Sequence, residues 1–143
     1  AFICVIAFSE RTGSDEIMDY SGLSRRSPAL AAFFTLFLLS LTGIPPTAGF
    51  LAKYYVFLAG INAGYMWLVI VALLTSVIAL YYYITVIRRM YFFSDDSPQS
   101  FRVHGTLTTA LVVSAIGVLY FGIFPGTVVD WISRAATQLL SAL

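Results

Sequence analysis

Charge is scarce along this chain, and what there is falls in blocks. Only 10% of the 143 residues are charged, 59% are apolar, and the mean hydropathy is +0.88. A soluble domain carries about 25% charged and about 45–50% apolar residues, so composition excludes an ordinary water-soluble globule and indicates a membrane protein. The single cysteine, Cys4, cannot form an internal disulfide, and a metal cluster cannot be assembled around a single histidine, His104. A net charge of +1, with no basic stripe, gives no case for nucleic acid as a partner. There is no glycine-rich phosphate loop and no nucleophile elbow. Any catalysis must be movement rather than bond-making.

The apolar runs between the charged blocks predict an all-α, multi-pass membrane protein. Residues 1–8 are an apolar run too short to span and lack the basic region of a signal peptide. With Ala1 where a start methionine would stand, they read as the end of a transmembrane helix in the C-terminal part of a longer polypeptide. Residues 9–27 read as a polar loop, after which Ser27 and Pro28 suit a helix cap and first turn. Residues 28–62 read as one broken transmembrane segment, and 66–92 as a plain transmembrane helix. The latter ends in Tyr81-Tyr82-Tyr83 and Arg88-Arg89, an aromatic belt with a basic flank. A second polar loop, 94–105, leads to another span over 106–125. The tail, 127–143, has an apolar stripe with Asp130 and Arg134 at i,i+4 spacing on the other face, which predicts an amphipathic helix.

The break organises the rest. Gly43-Ile44-Pro45-Pro46-Thr47-Ala48-Gly49 interrupts the segment, and Lys53 is the only charge from Pro28 to Ile87. Prolines donate no backbone hydrogen bond and push the preceding residue toward extended backbone, while Gly43 and Gly49 loosen the chain on either side. Each half is about 15–16 residues, short of the ~20 needed to cross alone. Non-helical backbone in a bilayer is tolerated only where protein buries it or where it lines a wet cavity. An ionisable residue beside such a break is a candidate functional site. Snorkelling is hard for Lys53, which lies nine residues before Asn62 in one direction and faces the break in the other. Buried lysines lose charge readily, so Lys53 is the candidate proton carrier and Gly43, Pro45, Pro46, Thr47 and Gly49 form its setting. Ser40, Thr42 and Thr47 either hold water there or cap the broken ends. Thr75 and Ser76 read as packing groups, and His104 as a surface residue.

Arginine placement favours one crossing for the broken segment. With a single crossing, loops 9–27 and 88–105 share a side and hold six arginines, against Arg134 alone on the other. A double crossing would divide them four to three. The positive-inside rule therefore places both loops in the cytoplasm.

The run Gly22-Leu23-Ser24-Arg25-Arg26-Ser27-Pro28, followed by Leu39 to Tyr55 around Pro45-Pro46-Thr47-Ala48-Gly49-Phe50, resembles the subunit N family of bacterial-type NADH:quinone oxidoreductase, respiratory complex I. The span ending in Leu80-Tyr81-Tyr82-Tyr83 and the one closing at Phe124-Pro125 fit the same family, so the resemblance covers residues 1–125. It is similar more broadly to the other antiporter-like subunits and to multisubunit cation/proton antiporters. The resemblance implies a fourteen-helix fold with two inverted repeats, each with a broken helix, in a bacterial inner membrane. It implies that Lys53 belongs to a proton half-channel, and that its partner lysines and glutamate lie on a repeat outside this chain. It further implies that other membrane subunits are the partners. NADH, FMN, iron–sulfur clusters and quinone would be bound by other subunits, leaving no cofactor to this chain. Two alternatives remain open: a Na⁺ or K⁺/proton antiporter subunit using carbonyls freed near Gly43 to Pro46, or a scaffold in which Lys53 never titrates.

Overall fold

The computed structural model describes residues 1–13, 16–93 and 104–126, all of them in helices or the turns between helices. The expected amphipathic tail at 127–143, with Asp130 and Arg134, and most of the expected loop at 94–105 lie outside the described residues. The elements are α1 (Phe2–Thr12), a 3₁₀ turn (Ile17–Tyr20), α2 (Leu23–Arg26), α3 (Pro28–Thr42), α4 (Ala48–Asn62), α5 (Met66–Phe92) and α6 (Gly105–Ile123). Among the described residues there is no strand. The fold is all-α, and α5 and α6 are each long and apolar enough to cross a bilayer.

Three local expectations need correction. Helix α1 does not stop at Phe8 but continues through Ser9 and Glu10 to Thr12. Glutamate and arginine are good helix formers, so a change from apolar to polar does not by itself end a helix. The segment after it is not a simple polar loop: Tyr20, Leu23 and Ser27 are buried in it. Ser27 occupies the N-cap position of α3, yet its side chain makes no capping hydrogen bond. Finally, the proline pair does not run extended. The Thr47 N–H donates to the Ile44 carbonyl at 3.2 Å, folding residues 44–47 into a closed turn.

The packed core lies at one end of the bundle. Phe8 and Tyr20 stack with ring centroids 4.1 Å apart, and Phe34 meets Tyr20 at 5.6 Å. Leu23, Leu30, Met90 and Leu111 join the cluster from α2, α3, α5 and α6. Lipid is as apolar as these side chains, so close packing rather than escape from water holds such a core together.

From this anchored end, the two half-helices are laid in succession along α5. The Gly22 N–H donates to the Arg89 carbonyl at 3.4 Å, tying the approach to α3 to the C-terminal end of α5. At the opposite end of α5, Val69 touches Gly60 near the end of α4. Helix α5 has 27 residues, about 40 Å at 1.5 Å per residue, enough to flank both half-helices. Helix α6 runs in the same sense as α3: Leu111 joins the core and Gly122 reaches the break. No residue of α4 is buried and only Val69 and Met90 of α5 are, so most of their apolar side chains face outward.

Candidate functional site

A helix leaves its last four carbonyls without intrahelical partners. At the end of α3 three of these find partners inside the break. The Leu39 carbonyl accepts from Gly43 N–H at 3.1 Å and Ile44 N–H at 3.2 Å, and the Ser40 carbonyl accepts from Gly43 N–H at 3.0 Å. The Thr42 carbonyl accepts from the Lys53 amine, with Nζ at 2.8 Å. Lys53 therefore turns back toward the break rather than along α4 toward Asn62.

Glycine makes this reach possible. Gly43 sits at φ +89°, a left-handed conformation that side chains disfavour. A Cβ there would also lie 2.9 Å from Cδ of Lys53, so the lysine stem passes directly over the bare glycine backbone. Gly49 does the same for the two helices. A Cβ on it would overlap the Ser40 carbonyl oxygen and sit 2.7 Å from the carbonyl carbon, so α4 begins in backbone contact with α3. There the Gly49 N–H donates to Ser40 Oγ at 3.3 Å, giving one orphan donor of α4 an acceptor from the neighbouring half-helix.

The hydroxyls at the break act locally. Thr47 does not cap α4; its Oγ1 donates to the Ile44 carbonyl at 2.7 Å and closes the turn. Thr42 Oγ1 donates to the Leu38 carbonyl at 2.9 Å. Both Ser40 and Thr47 are buried, while Pro45 and Pro46 are exposed. The structure thus brings together Gly43, Thr47, Gly49 and Lys53 with Ser40 and Thr42. Sequence reasoning missed one member: Gly122 of α6, where a Cβ would lie 2.6 Å from the Thr47 carbonyl carbon. No local pattern pairs it with a residue 75 positions earlier in the chain.

The arrangement places one partly buried amine between the carbonyl end of α3 and the amide end of α4. An ammonium has three N–H donors, and Thr42 takes one of them. The negative end of a helix attracts a cation, so α3 and Lys53 form a complementary pair. Among the described residues no group of three His, Cys, Asp or Glu side chains could hold a metal ion. Away from the break, Thr75 and Ser76 hydroxyls donate to the Ala72 carbonyl within their own helix. His104 stands exposed at the start of α6, and Tyr81 and Tyr82 face outward.

Residues 1–79, which contain the whole break, match the family described as "NADH:quinone oxidoreductase/Mrp antiporter, TM". The chain belongs to that family. Among relatives of this antiporter-like membrane family, it is 46% identical over 140 residues to NADH-quinone oxidoreductase subunit N of Dehalococcoides mccartyi, covering 98% of this chain and 29% of the relative. Over 80 residues it is 58% identical to the chloroplastic NAD(P)H-quinone oxidoreductase subunit 2 of Nephroselmis olivacea, covering 56% of this chain and 16% of that one. The fold is similar to one chain of respiratory complex I from Thermus thermophilus, solved with bound aureothin. That match has a TM-score of 0.71 at 31% identity, over 80% of this chain and 26% of the other. The chain thus spans less than a third of the length of these curated relatives and of the solved chain.

Proposed function

We propose that this chain is part of a proton-translocating membrane subunit of NADH:quinone oxidoreductase, in which Lys53 relays protons at the helix break. The observation that carries this reading is the Lys53 amine, 2.8 Å from the Thr42 carbonyl inside a break between two apolar half-helices. The family supports it, since it is described as a transmembrane family of an oxidoreductase and an antiporter. The partners are the other membrane subunits of the complex and the lipid of a bacterial inner membrane, with residues 9–27 and 88–105 on the cytoplasmic side. NADH, FMN, iron–sulfur clusters and quinone are handled by other subunits.

In this mechanism the amine takes a proton from a hydrated line of internal groups and gives it up toward one membrane face. Control is electrostatic: two unit charges about 8 Å apart interact by roughly 2 kcal/mol at an effective dielectric of about 20. A positive charge arriving on a neighbouring group would then make the proton on Lys53 easier to release. Replacing Lys53 with Met in the intact subunit should lower the protons pumped per electron while the complex still assembles. An unchanged ratio would refute the reading. The cation-exchange alternative would need free carbonyls near Gly43 to Pro46, where the Ile44 carbonyl is already taken by Thr47, and sodium-dependent flux in vesicles would favour it.

A further inference from the structure

Helix α6 carries two interior glycines with different surroundings. A Cβ on Gly117 would meet nothing within 4 Å, whereas on Gly122 it would overlap the Pro46 carbonyl oxygen and lie 2.6 and 2.7 Å from the carbonyl carbon and Cα of Thr47. A glycine hydrogen therefore points at the Pro46 carbonyl, in the manner of the Cα–H···O contacts that recur where helices pack closely. Every atom on the receiving side is backbone, so no side-chain rotation could make room. Thr47 is only 4% exposed there.

We infer that Gly122 is a positioning residue for Lys53. The path is short and continuous. The α6 backbone seats the turn at Pro46 and Thr47, and Thr47 closes that turn on the Ile44 carbonyl through both its N–H and its hydroxyl. The Thr47 carbonyl accepts from Phe50 N–H at 3.1 Å, so the same turn sets where α4 begins. Gly49 then rests on Ser40, and one turn later Lys53 reaches Thr42. Helix α6 thus acts as a backstop that fixes the half-helix carrying the amine. This inference rests on the proton-relay reading of Lys53.

The test uses Gly122→Ala, Gly117→Ala, Thr47→Ala and Lys53→Met in the full-length subunit within the assembled complex, with protons pumped per electron measured per assembled complex. Gly122→Ala should lower the ratio at least two-fold and Gly117→Ala should leave it unchanged. Gly122→Ala combined with Lys53→Met should be no worse than Lys53→Met alone, because both act through one amine. Should Gly122→Ala prevent assembly, Thr47→Ala, which removes one of the two bonds closing the turn without adding bulk, should still lower the ratio. A full ratio in assembled Gly122→Ala, a full ratio in Thr47→Ala, an equal loss in Gly117→Ala, or multiplied losses in the double variant would each overturn the inference. A full ratio in Lys53→Met alone would instead refute the proton-relay reading beneath it.

Discussion

Gly49→Ala is the most exacting substitution at the break, because the added methyl group enters occupied space. Its carbon would overlap the Ser40 carbonyl oxygen and lie 2.7 Å from the carbonyl carbon, where ordinary contact begins at 3.4 Å, so the half-helices must part by more than about 0.7 Å. Such overpacking typically costs about 1–3 kcal/mol. A displacement of at least that size along the line between the helices takes the Lys53 amine from 2.8 Å to about 3.5 Å or more from the Thr42 carbonyl, at or past the edge of hydrogen bonding. A loss of about 2 kcal/mol lowers the population of the seated geometry by roughly thirty-fold. The variant should therefore assemble in reduced amount, and the complex that does assemble should pump fewer protons per electron. Quantifying the assembled complex on native gels and measuring proton uptake by vesicles separates the two effects. Normal assembly with a normal proton ratio would refute the claim that backbone contact at Gly49 holds Lys53 in place.

Gly43→Ala should impair pumping more than an alanine at an open helical position, since it meets both a strained φ of +89° and the Lys53 stem. The check is the proton ratio beside that of Gly117→Ala. Ser40→Ala removes the acceptor of the Gly49 N–H and should destabilise the junction by about 0.5–1.5 kcal/mol, read as a lower thermal midpoint with the proton ratio largely kept. Proton uptake should not change when Na⁺ is replaced by K⁺ or choline in vesicles.

The parts legible in the sequence were those governed by local chemistry. Pro45, Pro46 and the flanking glycines interrupt a helix wherever they occur, and an isolated Lys53 in an apolar run stands out without any neighbour. Tertiary contacts were not legible. Polar composition over 9–27 hid the burial of Tyr20 and Leu23, because a few aromatic and aliphatic side chains in a charged stretch leave average hydropathy low. Ser27 was expected to cap α3 from its residue type alone, but its side chain does not do so. The acceptor for Lys53 is a backbone carbonyl, which carries no residue-type signal. Gly122 looked like any glycine in an apolar helix until the packing of α6 on the turn set it apart from Gly117.

Lys53→Arg separates a proton carrier from a structural cap more directly than any deletion. A guanidinium keeps the positive charge and the N–H donors that reach the Thr42 carbonyl, but it does not deprotonate at accessible pH. With the complex assembled to the normal level, the account predicts slowed turnover and a reduced number of protons per electron. Full pumping by the arginine variant would contradict it, leaving the residue at position 53 as a fixed charge that holds two half-helices together.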